Sequence, residues 1–261
     1  MRYGVIADVH ANLHALDASL AFLSTQDVGG YLCAGDLVGY GPFPNESVRR
    51  VLDLDGACVA GNHDLITLGR LSDERCIPLA RDSLRWTRDV LDDDVRALLG
   101  ALPATARVDG LVLCHAWLDD PQPYVVAEQD AMARLRDLDR ARVVIAGHTH
   151  RPMAVAAPTG TLLRSAAGTV RLPPGEPVLV NPGAVGQSRT ADPRARVMVL
   201  DTEARTAAFH ALPYDVAACR DALRERGLPA NACHLAPSRW RDAASAVGHR
   251  VRRLRAASRR R

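Results

Sequence analysis

Residues 3–12 read Y-G-V-I-A-D-V-H-A-N, an apolar run that ends at an aspartate followed two positions later by a histidine. The apolar part, Tyr3 to Ala7, has the length of a buried strand, and leucines then recur at helical spacing over residues 13–23. Asp8 to Asn12 therefore form the loop between a strand and a helix. In open α/β sheets this loop, at the carboxyl end of a strand, is where ligands bind.

The same order of apolar strand and polar motif returns four more times along the chain. The motifs are G-D at 35–36 after Tyr31 to Gly35, G-N-H-D at 61–64 after Ala57 to Ala60, His115 after Leu111 to Cys114, and G-H-T-H at 147–150 after Val143 to Ala146. Five of the nine histidines lie in these motifs, a placement that packing alone does not explain. The sequence therefore predicts that polar side chains gather at the carboxyl ends of several strands.

The remaining segments predict elements outside these motifs. Residues 78–102 have a helical pattern closed by Pro103, and a further helix is predicted over Val216 to Arg226, where Gly227 ends it. From Met153 to His210 short strands alternate with Gly, Pro and Asp turns, including a hairpin at 201–205. This pattern favours an antiparallel or mixed second sheet.

Composition sets limits on the class of protein. The chain has 261 residues, 48% of them hydrophobic, which suits one large domain, alone or with a small appendage. All 33 basic residues are arginines, and the net charge of +3 gives no global signature of nucleic-acid binding.

Cysteine usage and apolar patterning indicate a compartment. The six cysteines have no C-x-x-C or metal-finger spacing, so we expect free thiols in a reducing environment. No stretch approaches the roughly 18 consecutive apolar residues of a membrane-spanning helix. We therefore expect a cytoplasmic protein without a membrane partner.

The five motifs together offer a mixed set of nitrogen and oxygen ligands. The candidates are Asp8, His10, Asp36, Asn62, His115, His148 and His150. Imidazole and carboxylate without thiolate suit Mn, Fe or Zn better than Ca or Mg. Seven ligands exceed the need of one ion, whereas a shared carboxylate holds two ions about 3.5–4 Å apart. Taken singly, Asp36 would also fit a helix cap and Asn62 a turn.

In their order and spacing, these blocks resemble those of the calcineurin-like metallophosphoesterase superfamily. The resemblance covers about residues 1–215. G-D-L-V-G-Y-G-P-F-P-N-E at 35–46, V-N-P-G-A-V-G-Q-S-R at 180–189 and Y-D-V at 214–216 are similar to its predicted-phosphodiesterase branch in bacteria and archaea. The region after G-D lacks the Asp-Arg-Gly of the protein Ser/Thr phosphatases, which makes a protein-phosphatase role less favoured.

The resemblance implies a fold and a domain division. The expected fold is an α/β four-layer sandwich, in which two mixed β-sheets pack face to face and helices cover the outer faces. Residues 1–215 would form the catalytic domain. Residues 216–261 would form a C-terminal helical extension with an Arg-rich tail, which is either a solvated terminus or an arm for anionic partners.

The resemblance also implies a role for each motif residue. Asp8, His10 and His150 would bind a first ion, Asp36 would bridge, and Asn62, His115 and His148 would bind a second ion. His63 would stabilise charge or protonate the leaving oxygen beside the phosphate, with Asp64 orienting its ring. Gln187 and Arg189 are open to two interpretations, a clamp on the substrate phosphate or an ordinary surface loop.

The expected activity is hydrolysis of a phosphodiester or related small phosphoester by a metal-bridging hydroxide. Manganese is the first choice for the two divalent ions, with Fe, Zn or Ni as alternatives. Two other functions stay open at this point: a non-catalytic interaction scaffold, and a nuclease or nucleic-acid-binding module that uses the Arg-rich tail at 246–261. The natural substrate and the oligomeric state do not follow from the sequence.

Overall fold

The structure, a computed structural model, describes residues 1–118, 120–123, 125, 128–138, 142–163 and 165–236. The Arg-rich tail, and with it the suggested nucleic-acid arm, lies outside the described residues. The strands are β1 (Arg2–Ile6), β2 (Gly30–Cys33), β3 (Gly56–Cys58), β4 (Thr105–Val108), β5 (Leu111–Cys114), β6 (Val143–Ile145), β7 (Met153–Ala156), β8 (Gly160–Leu163), β9 (Gly168–Arg171), β10 (Val178–Asn181), β11 (Ala195–Asp201) and β12 (Thr206–Leu212). The helices are α1 (Leu13–Leu23), α2 (Pro44–Leu52), α3 (Asn62–Thr67), α4 (Pro78–Val90), α5 (Asp93–Ala101), α6 (Glu128–Arg136) and α7 (Val216–Glu225).

The strands form two six-stranded sheets. The first has the order β3-β2-β1-β11-β12-β9, and the second has the order β4-β5-β6-β10-β7-β8. Parallel pairs join β1, β2 and β3 in the first sheet and β5, β6 and β10 in the second, while the remaining pairs are antiparallel. Both sheets are therefore mixed, as expected.

The main apolar core lies between the two sheets. Val5 of β1, Met198 of β11 and Phe209 of β12 pack there against Leu113 of β5 and Val180 of β10. Side chains alternate along a strand, so each sheet presents a second apolar face outward. The inner core is thus shared equally by the two sheets, and it fixes one against the other.

Helices cover both outer faces. Helices α1, α2 and α5 bury their apolar positions on the first sheet, as Leu16, Val51 and Val95 illustrate. Helix α6 covers the second sheet through Ala131 and Leu135. The order helix, sheet, sheet, helix confirms the four-layer sandwich.

The helical segment predicted over residues 78–102 is present, but it is divided into two helices. Helices α4 and α5 are separate, and the backbone at Leu91 and Asp92 between them is extended. The cause is a contact from outside the segment, because the Asn45 side chain donates to the Val90 carbonyl at 2.9 Å and accepts from the Asp92 amide at 2.9 Å. Asn45 thus occupies the backbone groups that a continuous helix would need.

The short strands predicted over residues 153–210 are present, and the mixed second sheet is confirmed, but these strands divide between both sheets. Strands β7, β8 and β10 join one sheet, whereas β9, β11 and β12 join the other. The hairpin predicted at 201–205 is confirmed, because Asp201 of β11 pairs with Thr206 of β12. What the pattern could not indicate is that β11 pairs with β1, at the other end of the chain.

The described part of the C-terminal extension packs onto the rest of the molecule. Helix α7 confirms the predicted helix, and Cys219 and Leu223 on it lie in an apolar cluster with Tyr40 and Ala80. Farther along, the Leu235 amide donates to the Ser188 carbonyl at 3.0 Å. The domain division at residue 215 stays a prediction.

Two smaller expectations concern the cysteines and the membrane. All six cysteines are free, and Cys58 is only partly buried. Among the described residues, no helix has the length and apolar character needed to span a bilayer.

The inter-sheet core makes a prediction for stability. Phe209→Ala removes a ring that is 2% exposed between the sheets, so it should lower the free energy of unfolding by about 3–5 kcal/mol. Leu98→Ala on α5, where the side chain is 41% exposed, is the control and should change it by less than about 0.5 kcal/mol. Denaturant titration followed by circular dichroism measures both, and equal losses would contradict the assigned core.

Candidate metal centre

The five polar motifs meet at one end of the sandwich. Loops after β1, β2 and β3 carry Asp8, His10, Asp36 and Asn62, and loops after β5 and β6 carry the three histidines at 115, 148 and 150. Each of the seven residues is at most 7% exposed. The sequence thus predicted the location correctly, because parallel strands of each sheet end on the same side.

The predicted ligand atoms lie close enough to hold cations. Asp8, His10 and His150 form one group and Asp36, His115 and His148 form another, with all ligand atoms of a group within 4.8 Å of one another. Asp36 also groups with His10 and His63 in the same range. The Oδ1 atom of Asn62 lies 3.0 Å from Nε2 of His115. Asp36 therefore stands between two clusters, as a bridging carboxylate would.

The backbone of these loops is strained at the candidate ligands. Five of the seven have φ in the left-handed region, namely Asp8 at 53°, His10 at 48°, Asp36 at 55°, His148 at 66° and His150 at 57°. Residues other than glycine rarely adopt such angles, and the cost is of order 1–3 kcal/mol each. The surrounding contacts must hold this conformation in place.

Asp64 supplies much of that restraint. Its buried carboxylate accepts hydrogen bonds from the backbone amides of Asp36, Leu37, Val38 and Gly61 at 2.8–3.1 Å. The sequence-based interpretation had Asp64 orienting the ring of His63, and no such contact is seen among the described residues. The carboxylate instead joins the G-D loop to the G-N-H-D loop.

The two loops also touch directly at Gly61. A Cβ atom there would lie 2.1 Å from Oδ1 of Asp36, so only glycine fits. The same carboxylate oxygen accepts from the His63 amide at 2.8 Å. Asp36 is therefore oriented by backbone donors of the neighbouring loop, which leaves its Oδ2 atom 3.3 Å from Nε2 of His115.

Backbone carbonyls fix the tautomers of the histidines. Nδ1 of His10, His115 and His150 lies 3.1, 2.8 and 2.7 Å from the carbonyls of Val38, Ala34 and Gln187. A carbonyl only accepts, so each Nδ1 carries a proton, and Nε2 is the ring nitrogen that faces the centre. In His148 the roles are reversed, because Nε2 lies 3.2 Å from the Gln122 carbonyl and Nδ1 is left as the acceptor.

This arrangement brings acceptors face to face. Nε2 of His10 and Nε2 of His150 are 3.0 Å apart, and Oδ2 of Asp8 is buried without a hydrogen-bond partner in the described part of the chain. Lone pairs at such distances repel unless a positive species lies between them. The residues therefore fit divalent cations, and carbonyl-held imidazoles are the usual form of a ligating histidine.

The protonation states agree with a ligand role. Burial lowers the pKa of His148 to about 3 and holds the pKa of His10 well below its usual range, so both rings are neutral. Although burial opposes it, the carboxylate of Asp36 raises the pKa of His115 to about 9. Burial raises the pKa of Asp8 to about 7. The Asp8 carboxylate is costly to ionise and the imidazoles of His10 and His148 are costly to protonate, and a metal ion in the centre would relieve both costs.

Sequence comparison matches this geometry to a known family. The profile of the "Calcineurin-like phosphoesterase superfamily domain" matches residues 1–205, which include all seven candidate ligands. The chain belongs to the calcineurin-like phosphoesterase superfamily.

Similar proteins cover nearly the whole chain. A metallophosphoesterase from Sphaerobacter thermophilus is 32% identical, with a TM-score of 0.78 over 89% of this chain and 96% of that one. The hypothetical protein PH1004 from Pyrococcus horikoshii OT3 is 16% identical, with a TM-score of 0.71 over the same shares, and shows the fold alone. Uncharacterized protein MJ0912 of Methanocaldococcus jannaschii is 28% identical over 86% of this chain and 93% of its own length.

Gln187 and Arg189 differ in what they contact in this phosphoesterase. The Gln187 side chain is fully buried and donates to the Ala232 carbonyl at 2.8 Å, while its backbone carbonyl holds His150. Arg189 Nε donates to Gln187 Oε1 at 3.3 Å. After burial, the charge of Arg189 is the largest cause that lowers the pKa of His150.

Two asparagines position the loops and were not singled out from the sequence. Asn181 donates to the Gly147 carbonyl at 2.6 Å and to Thr149 Oγ1 at 3.1 Å, which braces the G-H-T-H loop. Asn12 caps α1 through the Ala15 amide and donates to the Gly186 carbonyl at 2.9 Å. The available signals were V-N-P-G at 180–183 and an asparagine at a helix start.

The role of Asp64 predicts a specific loss of stability. Asp64→Asn places an NH₂ group against backbone donors and leaves buried amides without an acceptor, so the free energy of unfolding should fall by about 2–4 kcal/mol. Denaturant titration of the metal-free protein in EDTA measures this change. Asp89→Asn, at an exposed site on α4, is the control and should have little effect. An unchanged stability in Asp64→Asn would show that the four amides do not depend on the carboxylate.

Proposed function

We propose that the protein is a metal-dependent phosphoesterase that hydrolyses a phosphodiester or a related small phosphoester at a binuclear centre. The observation that carries the proposal is the pair of buried ligand clusters, Asp8 with His10 and His150 and Asp36 with His115 and His148, between which Oδ2 of Asp36 also lies 3.7 Å from Nε2 of His10. A single ion would leave one cluster of facing acceptors without a positive species. Family membership supports hydrolysis of phosphoesters in general, and the ligand set favours manganese, with Fe, Zn or Ni as alternatives.

The ligands divide between two positions. Asp8, His10 and His150 would hold one ion, Asn62, His115 and His148 would hold the other, and Asp36 would contact both. When bound, two divalent ions supply a nucleophile from water near neutral pH and stabilise charge on the phosphoryl oxygens. The protein contributes fixed ligand geometry, because the strained loops and the carbonyl-held rings leave little freedom for rearrangement.

His63 is the group best placed to act on the leaving oxygen. Its ring centroid lies 4.8 Å from that of His10, and its backbone amide is bound to Asp36. The ring thus borders the shared carboxylate without completing either three-residue ligand set. A proton or hydrogen bond from His63 to the leaving oxygen would contribute about 10²- to 10⁴-fold to the rate.

Arg189 would contact the phosphate from the opposite wall. Gln187 anchors its guanidinium, and Gln187 is itself fixed by Ala232. An anchored guanidinium loses little freedom when it binds an anion, and it can hold two phosphate oxygens at once. Gln187 then supports the clamp instead of touching substrate.

Metal content and activity together test the proposal. The protein loaded with Mn should contain two ions per chain by elemental analysis and should cleave bis-p-nitrophenyl phosphate. His63→Ala should keep both ions and lose about 10²- to 10⁴-fold in kcat. Asp36→Asn should lose metal as well as activity, because it removes the shared ligand. One ion per chain in fully active protein would contradict the binuclear centre, and inactivity with Mn, Fe, Zn and Ni would contradict the function.

The clamp makes a separate prediction for anion binding. Arg189→Ala should weaken inhibition by inorganic phosphate by about 10-fold or more while both ions stay bound, because a charge-assisted hydrogen bond is worth about 1.5–3 kcal/mol. Arg194→Ala is the matched control, since Arg194 is half-exposed and paired with Asp192 at 2.7 Å. Equal inhibition constants for the two variants would assign Arg189 to the surface loop.

A further inference from the structure

Tyr40 lies between two histidines of the centre. The chain reads G-Y-G at 39–41, and the tyrosine is 2% exposed. Its ring centroid is 4.8 Å from that of His10 with an interplanar angle of 86°, and 4.8 Å from that of His63 with an angle of 32°. One aromatic ring therefore borders both a candidate metal ligand and the group assigned to the leaving oxygen.

The backbone of Tyr40 is held in a costly conformation. Its φ of 63° is in the left-handed region, where a bulky side chain is rare. The Tyr40 amide donates to Ser83 Oγ at 3.0 Å, and Ser83 Oγ donates to the Ala80 carbonyl at 2.9 Å, so α4 fixes the residue. Such strain persists only where contacts impose it, and residues that carry it cluster at functional sites.

The preceding residue allows the same segment to touch His63. Gly39 has φ of 85°, and a Cβ atom at this position would lie 2.4 Å from Nδ1 of His63. Only glycine permits this approach. The G-Y-G segment thus forms a wall against the His63 imidazole, with the glycine at its Nδ1 edge and the tyrosine ring beside its face.

His63 is not tethered in the way that the other rings are. His10, His115 and His150 are each oriented through Nδ1 by a backbone carbonyl, whereas Nδ1 of His63 is buried without a hydrogen-bond partner among the described residues. The adjacent carboxylate of Asp64 is engaged by backbone amides. The orientation of this ring is therefore restrained by packing, with Tyr40 beside its face, Gly39 at its Nδ1 edge and the His10 ring 4.8 Å away.

We propose that Tyr40 is a positioning residue for His63, and that its ring holds the imidazole in the orientation required to reach the leaving oxygen. The inference rests on the proposed function for its consequence in catalysis, although the ring orientation itself is independent of activity. Tyr40 acts through the face of its ring. Losing this contact should therefore lower the rate most for substrates whose leaving oxygen most needs a proton or hydrogen bond.

The kinetic test compares two diaryl phosphates whose leaving groups differ in basicity. With bis-p-nitrophenyl phosphate, whose leaving group departs readily as an anion, Tyr40→Leu should lose about 10-fold or less in kcat. With diphenyl phosphate, whose leaving group is more basic, the loss should reach about 100-fold, within the range of general acid catalysis. Tyr40→Phe should recover both rates to within about threefold. Tyr31→Leu, at a half-buried tyrosine on β2, is the control for general effects and should change both rates equally.

The rate losses of the double variant give a second test of the positioning role. If Tyr40 acts through His63, then adding Tyr40→Leu to His63→Ala should cause little further loss with either ester, because the group that it positions is already gone. Independent losses that multiply would overturn the proposal. Equal losses with both esters in Tyr40→Leu would also overturn it, as would a Tyr40→Phe variant as impaired as Tyr40→Leu.

A structural readout separates this inference from the proposed function. Crystal structures or histidine ring NMR of the metal-free protein should show one His63 rotamer in wild type and Tyr40→Phe, and more than one in Tyr40→Leu. An unchanged His63 ring in folded Tyr40→Leu would overturn the positioning role whether or not the protein is active. Wild-type protein inactive on both esters would instead count against the phosphoesterase function, and the ring orientation would still decide the role of Tyr40.

Discussion

The structure depends on one electrostatic constraint, the convergence of acceptor atoms on a buried volume. Asp8 and Asp36 carry carboxylates that are at most 1% exposed, and carbonyl-bound imidazoles turn their bare nitrogens toward the same space. Burying uncompensated charge costs several kcal/mol per ion, so a positive species inside this volume would stabilise the arrangement. The loops hold it through backbone hydrogen bonds, such as those from Asp8 and His10 amides to the carbonyls of Gly35 and Asp36 at 2.9 Å.

Sequence reasoning located the candidate site because the rule behind it is local. Each motif directly follows an apolar strand. The pattern of apolar residues in a strand and the polar residue that ends it are both visible within ten residues of sequence. The same rule gives five strand ends on one side of the molecule. It needs no knowledge of which strands pair, and for this reason the motif residues could be expected to converge although the strand order could not be predicted.

The structural features that the sequence pattern did not indicate all depend on contacts between residues far apart in the chain. The break between α4 and α5 is made by Asn45, and the division of residues 153–210 between the sheets follows from the pairing of β11 with β1. Asp64 was assigned to its sequence neighbour, whereas three of its four donors lie at residues 36–38. Likewise, nothing in the residue type of Ala11 indicates its left-handed φ of 52°. Local pattern cannot show contacts that only the folded chain brings together.

The two sheets each supply part of the centre, and this links the core to the chemistry. The first sheet contributes the aspartates, His10 and Asn62, whereas the second contributes the histidines at 115, 148 and 150. Contacts that cross between them are short, with the His148 amide donating to Asp8 Oδ1 at 2.9 Å and His115 Nδ1 donating to the Ala34 carbonyl at 2.8 Å. Since a misplacement of about 1 Å can cost about 100-fold in rate, the inter-sheet packing must be as exact as the ligand loops. An apolar core residue distant from the candidate ligands therefore influences the spacing of the ligand groups that the two sheets carry.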